Sequence, residues 1–442
     1  MLGKTETIKV VTRFRSFLPR ELEYYKANPD KKKEKIYHFH PGNQQITAKK
    51  PYGQAFTENG ATSPREVKDE TFAFDGIYRP DVGQSDFYTT NVRPLVEQIL
   101  NGFNATVFAY GASGTGKTYT IFGPDSFRER MMASGDMSVL QDDEAGVIPR
   151  IIYDIFHQID DSKEEISVQL ECSYVEIYCE QFRDLLNPGK TALKIRGGDS
   201  ANRPVYIEGA EVQLVESIPA LLQLLKLGES HRSVGATDLN DRSSRSHSVL
   251  SIKVMQTHRT HQTRKTSTLF LVDLAGSEDT SRSNVKDQGM KEAQKINLSL
   301  STLANVINDL TTGKGHIRYR DSKLTHLLSN ALGGNSKTVL LLTCSPSLDS
   351  HNETFRTLKF GQRAKKIQNR VKANEELSVE SYKALVEDLR RQLLASQDNY
   401  ARVIEQLESQ NIAYTDVMHL LLVTPDGVWY HGEDIYRFEQ VQ

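Results

Sequence analysis

Thr106-Val107-Phe108-Ala109-Tyr110 runs directly into Gly111-Ala112-Ser113-Gly114-Thr115-Gly116-Lys117-Thr118. An apolar strand pattern thus delivers a G-x-x-x-x-G-K-T loop, and a helical pattern follows it. The glycines let consecutive backbone N–H groups turn inward around phosphate oxygens, a geometry that a Cβ obstructs. The helix N-terminus beyond adds partial positive charge. Lys117 is placed to reach the β- and γ-phosphates of a nucleotide, and the Thr118 hydroxyl to ligand Mg²⁺. A glycine-rich turn that matched by accident would have no reason to sit between strand and helix.

A triphosphate site also needs a second acidic contact for Mg²⁺ at the end of a neighbouring strand. Leu269-Phe270-Leu271-Val272-Asp273 supplies it, four apolar residues carrying a carboxylate to the edge of a sheet. Gly276, three residues further on, is able to present a backbone N–H to a γ-phosphate. These two elements define a P-loop nucleoside triphosphatase, a class that includes GTPases, helicases, kinases and motors. No guanine-reading N-K-x-D follows the second element.

Outward from this centre, short apolar strands alternate with helical patterns from Ile8 to about Gln368, which predicts an α/β layered domain. Val339-Leu340-Leu341-Leu342 reads as another buried strand. Ser248 to Arg264 reads as a half-exposed strand running into a polar hairpin. Residues 123–146 have no period and are expected to form a surface loop, as is the loose segment 31–68. Past Val371, residues recur at steps of four and three: Tyr382, Val386, Leu389, Leu393, Ser396, Tyr400, Val403, Leu407, Gln410, Tyr414, Val417, Leu421. This is a heptad seam with polar interruptions at Ser396 and Gln410. Its alternative is one amphipathic helix folded back on the domain. Thr424-Pro425-Asp426-Gly427 and Val428-Trp429-Tyr430 read as a turn and a short strand. The net charge of −2 argues against a generally basic nucleic-acid binder. Three cysteines (Cys172, Cys179, Cys344) in no metal or disulfide spacing fit a reducing cytosol. No run approaches a membrane span, so no membrane insertion is expected.

Asn240-Asp241-Arg242-Ser243-Ser244-Arg245-Ser246-His247 narrows the class. Alone, such a loop is usually just solvated. With the phosphate loop and Asp273-Leu274-Ala275-Gly276-Ser277-Glu278, in this order and at these separations, it resembles the kinesin motor domain. Other blocks share the resemblance over about residues 7–377. They are Lys9-Val10-Val11-Thr12-Arg13-Phe14-Arg15, Ile296-Asn297-Leu298-Ser299-Leu300, Tyr319-Arg320-Asp321-Ser322-Lys323-Leu324-Thr325 and Phe360-Gly361-Gln362-Arg363-Ala364-Lys365.

The resemblance implies an α/β P-loop fold with a central, mostly parallel twisted sheet flanked by helices, followed by a neck linker and a coiled-coil helix. The expected boundaries are 1–366 for the motor, 367–377 for the linker, 378–422 for the coil and 423–442 for a tail without assigned role. It implies ATP hydrolysis stimulated by microtubules, with ATP or ADP and Mg²⁺ bound, in the cytoplasm on the cytoskeleton. The cargo is not legible. Gly111 to Thr118 would hold the phosphates, Thr118, Ser244 and Asp273 the metal. Ser244 and the Gly276 N–H would contact the γ-phosphate, and Arg245 and Glu278 would form a salt bridge between the two switch loops, with Glu278 helping to carry away a proton through water. Arg13 and Arg15 would flank the adenine and Tyr88 would stack on it. Arg282, Lys286, Lys291, Lys295, Arg318, Arg320, Lys323 and Arg203 would face tubulin. Ile367 would insert into a pocket opened by ATP, Asn374 would latch the docked linker, and this chain order implies plus-end-directed motion. A weak homodimer is expected through the neck helix. A depolymerase or static crosslinker is the alternative within the family. Three departures stand out: Ala112-Ser113 where kinesins usually have Gln-Thr, Ser16 where a proline follows the second arginine, and no early glycine in 281–286.

Overall fold

The computed structural model of this 442-residue chain describes residues 4–32, 36–51, 69–133, 137–161, 164–198, 204–234, 244–259, 263–278, 288–376, 379–409, 428–431 and 434–437. They divide into two compact units, Met1–Glu376 and Leu377–Gln442.

Eight strands form the spine of one sheet in the first unit: β1 Lys9–Phe14, β2 Gly76–Tyr78, β3 Ala105–Tyr110, β4 Ile166–Tyr178, β5 Gln213–Val215, β6 His247–His258, β7 Arg264–Asp273 and β8 Lys337–Cys344. Their spatial order is β5-β4-β6-β7-β3-β8-β1-β2. From β7 to β2 every pairing is parallel, and from β5 to β7 every pairing is antiparallel. The sheet is therefore mixed, parallel in the half from which the phosphate loop springs.

Its parallel strands are buried on both faces, which is why they read as unbroken apolar runs. Val107 and Ala109 of β3, Leu269 and Leu271 of β7, and Val339 and Leu341 of β8 face one core. Helices Gln84–Asn91, Pro94–Leu100, Val147–Asp161 and Ile218–Val234 cover it. Phe108, Val272, Leu340 and Leu342 face the other core, under helices Gln288–Thr311, Lys323–Leu327 and His351–Ala364.

Three sequence expectations need correction. The segment beginning at Ser248 is not half-exposed: β6 is paired along both edges, and Val249, Leu250, Ile252 and Val254 are buried. Residues 123–146 are not a bare loop. They include the helix Asp125–Ala133, whose Phe127 and Met131 lie four residues apart and fill the first core, and a 3₁₀ turn, Met137–Gln141, that buries Leu140. One buried pair on a short helix leaves too little period to detect. In the loose segment 31–68, Gln45–Ala48 is the central strand of a small antiparallel sheet, paired with Tyr37–Phe39 on one edge and Glu70–Ala73 on the other; 52–68 lie outside the described residues.

The turn from β4 into the strand Gln181–Asp184 is built from Cys179 and Glu180, both left-handed at φ 49° and 59°. Non-glycine residues rarely adopt this backbone, but two in succession match the twist of a tight hairpin. The Glu180 carboxylate accepts from the Ser322 hydroxyl at 2.8 Å and the Lys323 N–H at 2.7 Å, so it tethers the start of helix Lys323–Leu327.

The second unit contains the helix Val379–Ser409, on which Tyr382, Val386, Leu389, Leu393 and Tyr400 are exposed. Gln410 to Leu421 of the seam lie outside the described residues. The short strand after the turn is one arm of a hairpin, Val428–His431 with Asp434–Arg437, in which Trp429 opposes Tyr436.

Candidate nucleotide site and its neighbours

The phosphate loop leaves β3 at Tyr110, whose ring stacks on Phe360 at 3.7 Å. It closes at Gly116 with φ 99°, a conformation that favours glycine, and the helix Lys117–Ile121 begins there. Lys117 is buried, and its ammonium donates to the carbonyls of Gly111 at 2.9 Å and Ala112 at 3.0 Å. Burial pulls its pKa down, while Asp273 and Glu278 act in the opposite sense. The Thr118 hydroxyl donates to Asp273 Oδ2 at 2.8 Å. Asp273 Oδ1 is buried and has no hydrogen-bond partner among the described residues. An unsatisfied carboxylate oxygen beside hydroxyls suits a hard cation such as Mg²⁺, which prefers a few oxygen ligands and shares the rest with phosphate. Thr118 and Asp273 therefore fit the group the sequence implied, and Ser244 is located through its backbone carbonyl, which accepts from Gly276.

The two switch segments are stitched to this loop. The Gly276 N–H donates to the Ser244 carbonyl at 2.8 Å, and the Ser277 N–H to the Gly111 carbonyl at 3.1 Å. Glu278 receives the Ser113 N–H on Oε2 at 2.8 Å and the Ser113 hydroxyl on Oε1 at 2.5 Å. A Cβ at position 276 would lie 2.2 Å from Ser113 Oγ, so only glycine permits this approach. Ser113 thus uses its side chain on the second switch, a role its place in a loop read for backbone geometry did not suggest. Gly114 and Thr115 complete the turn; the Thr115 hydroxyl donates to the Ala112 carbonyl at 2.7 Å.

Tyr88, Arg15 and Arg13, expected around the adenine, each have partners within the chain. Tyr88 is taken up in the core and donates its hydroxyl to Asp154 at 2.6 Å, so its ring offers no stacking face. Burial, then Asp154, pushes its pKa upward. Arg15 braces the phosphate loop, giving Nε to the Gly114 carbonyl at 2.7 Å and pairing with Glu21 at 2.7 Å. That brace holds the segment in which Ser16 stands where a proline was expected. Arg13 is buried, bonded to Gln84 at 2.5 Å, with its guanidinium over Phe87 at 4.8 Å and Tyr119 at 5.4 Å. Tyr119, beneath that guanidinium, is 44% exposed and directly follows Thr118.

A family comparison matches the kinesin motor domain over residues 13–367. The chain belongs to the kinesin motor family. The kinesin heavy chain of Botryotinia fuckeliana is 42% identical over 340 residues, 77% of this chain and 36% of that one. The kinesin heavy chain of Gibberella moniliformis is 38% identical over 411 residues, 92% of this chain and 40% of that one. This chain thus spans well under half the length of these relatives. A solved fast kinesin, described for its ATPase mechanism and interactions with microtubules, is 40% identical, with TM-score 0.70, and covers 84% of this chain and 95% of its own.

The segment after the helix His351–Ala364 runs back along the first unit. Gln368–Val371 pairs antiparallel with Lys4–Thr7, and Ile367 is buried in the second core. Asn374 donates Nδ2 to the carbonyls of Gly102 and Thr266 and to Asn104 Oδ1 at 3.0–3.1 Å, and accepts from Asn335 at 3.1 Å. Glu375 and Glu376 register against Lys265 and Arg264 of β7. The sequence reading missed Asn369, which is buried and donates to the carbonyls of Ala331 and Ser336. A cavity of about 620 Å³ lies beside this segment, lined in part by Ser173, Ser251, Lys372 and Asn374. None of the phosphate-loop residues 111–118 lines it.

Of the basic residues, Lys295, Arg318 and Arg320 are exposed and Lys323 is partly so. Arg318 pairs with Asp309 at 3.2 Å, and the Lys323 ammonium lies over the Phe182 ring at 5.0 Å. Arg203, Arg282 and Lys286 lie outside the described residues, as does the Lys291 side chain.

Proposed function

We propose that this chain hydrolyses ATP to ADP and phosphate in a microtubule-stimulated cycle and uses residues 367–377 as the lever of a plus-end-directed motor. One observation carries the reading: Thr118 and Asp273 pair at 2.8 Å while Gly276 and Ser277 tie that pair to Ser244 and Gly111. Such a site senses the outermost phosphate with both switch segments at once. Lys117 and the loop N–H groups would bind phosphate oxygens; Thr118, Ser244 and Asp273 would hold the metal. Mg²⁺, when bound, neutralises phosphate charge. Arg245 and Glu278 orient the attacking water, and Glu278 helps remove its proton. Ser113 positions Glu278 from the opposite wall. The catalysis is positioning and charge neutralisation, without a covalent intermediate. Arg13 and Tyr119 border the base.

Tubulin is acidic, so the track face is placed at Lys295, Arg318, Arg320 and Lys323. ATP turnover of the 442-residue chain, measured with and without microtubules, tests the reading. Reversing charge at Arg320 and Lys323 is expected to raise the microtubule concentration for half-maximal turnover roughly five- to tenfold and to leave basal turnover alone. Added salt should mimic this, because exposed charges are screened over roughly 8 Å at physiological ionic strength. An unchanged microtubule dependence would move the interface elsewhere. Gliding of filaments over immobilised protein separates a motor from a static crosslinker or depolymerase.

The exposed stripe on Val379–Ser409 supports a weak homodimer. Burying apolar surface stabilises by about 25 cal/mol per Å², and a lone helix leaves this stripe in water. Ser396 and Gln410 interrupt the seam, and Tyr400 and Tyr414 pack poorly against a parallel partner. Sedimentation of the whole chain should show concentration-dependent dimers, and removal of everything after Leu377 should leave a monomer that still hydrolyses ATP. A chain that stays monomeric at about tens of micromolar contradicts the coiled coil.

A further inference from the structure

We propose that His247 is a positioning residue that joins the second-switch loop to the long helix Gln288–Thr311, so that movement of that loop is passed to the helix through one side chain. The inference rests on the motor reading above. His247 opens β6 and is 2% exposed. Its Nδ1 faces the Ala275 N–H at 2.9 Å, and its Nε2 faces the Ser299 hydroxyl at 2.7 Å. Ser299 in turn donates to the Ile296 carbonyl at 2.7 Å, within the same helix.

Proton accounting fixes the direction of this chain of bonds. A backbone N–H only donates, so Nδ1 must accept and the ring proton must sit on Nε2. Nε2–H then donates to Ser299, whose own proton is committed to Ile296. Every group is used once. A doubly protonated ring would point Nδ1–H at the Ala275 N–H, so only the neutral ring fits. Burial, then Arg232 and Lys117, holds the pKa down at about 3, in agreement with that geometry.

The placement gives the bond line its significance. Ala275 sits between Asp273, which would hold the metal, and Gly276, which would meet the outermost phosphate. Ser299 lies on the buried face of the helix, beside Ile296, Leu300 and Leu303, and that helix ends just ahead of the Tyr319–Asp321 turn on the proposed track face. The imidazole is a rigid plate between them. Asparagine reproduces the Nδ1 acceptor but falls short of Ser299; glutamine reaches Ser299 but presents no acceptor at the Nδ1 position.

The test compares the whole chain with Ser299→Ala, His247→Asn, His247→Gln and the double variant His247→Asn/Ser299→Ala. Basal and microtubule-stimulated ATP turnover are read alongside thermal melting. Ser299→Ala is expected to keep basal turnover within about twofold while the stimulation factor falls about tenfold. His247→Asn and His247→Gln should lose stimulation to a similar degree, and the double variant should be no worse than His247→Asn alone, because both changes cut one line. Stimulation equal to the parent's in Ser299→Ala and His247→Asn overturns the proposal. So do additive losses in the double variant, or basal and stimulated rates falling in equal proportion. If His247→Asn melts below the assay temperature, Ser299→Ala alone decides, since it removes one oxygen from a helix face. A parent that microtubules do not stimulate overturns the motor reading itself, an outcome separate from failure of the variants.

Discussion

Lys117→Ala and Thr118→Asn are each expected to lower ATP turnover by at least about a thousandfold, to the background of the assay. Lys117 is a buried ammonium, held ready by two carbonyls of the loop itself. Its removal leaves the β- and γ-phosphates without their main positive charge inside a poorly solvated wall, where electrostatic loss is largest. Thr118 acts differently. Its hydroxyl fixes Asp273 Oδ2, and Asp273 Oδ1 is already unsatisfied, so asparagine at 118 misplaces a carboxylate that water cannot easily reach. Thr118→Asn should therefore lose the metal dependence of nucleotide binding as well as turnover. Fluorescent-nucleotide binding with and without Mg²⁺, read beside steady-state turnover, separates the two variants. Turnover within a few-fold of the parent in either case removes the phosphate-loop assignment.

The second large effect is expected at the switches. Glu278→Ala should still bind ATP but hydrolyse it about a hundredfold or more slowly, and Arg245→Ala should behave alike. Glu278 is held by Ser113 through both carboxylate oxygens, so truncation removes the proton carrier together with the bond that ties the second switch to the phosphate loop. A single-turnover experiment should show rapid binding followed by a slow chemical step. Normal microtubule-stimulated turnover in either variant would contradict the proposed pairing of the switches.

These residues were legible because their chemistry is local. A phosphate loop, the acid at the end of β7 and the S-S-R-S-H run each declare themselves within eight residues, and strands buried on both faces announce themselves as apolar runs. What stayed hidden depends on distant partners. Tyr88 and Tyr119 are both tyrosines near a nucleotide motif; only Asp154, on another helix, consigns the first to the core. Ser113 and Glu278 are 165 residues apart, and nothing in either neighbourhood signals that they meet. Asn369 looks like an unremarkable polar residue until the carbonyls of Ala331 and Ser336 close around its amide. Polar residues satisfied across the fold leave no periodic trace, whereas apolar faces do.

The left-handed Cys179–Glu180 turn bears on how this protein is equipped for fluorescence or spin-label work. Cys172 and Cys344 are sealed in the sheet, and burial raises both thiols, that of Cys172 to about 12, so neither is a thiolate at neutral pH. Cys179, at the turn, is the partly exposed one. A thiol-silent background therefore needs a single substitution, and its φ of 49° says which. Cys179→Asn or Cys179→Gly eases the left-handed backbone that lets Glu180 hold Ser322 and Lys323, while serine or alanine, with the same Cβ as cysteine, leaves its strain as it is. Dyes installed elsewhere on such a background would report on residues 367–377 or the helix Val379–Ser409 without a stray label beside Ser322 and Lys323.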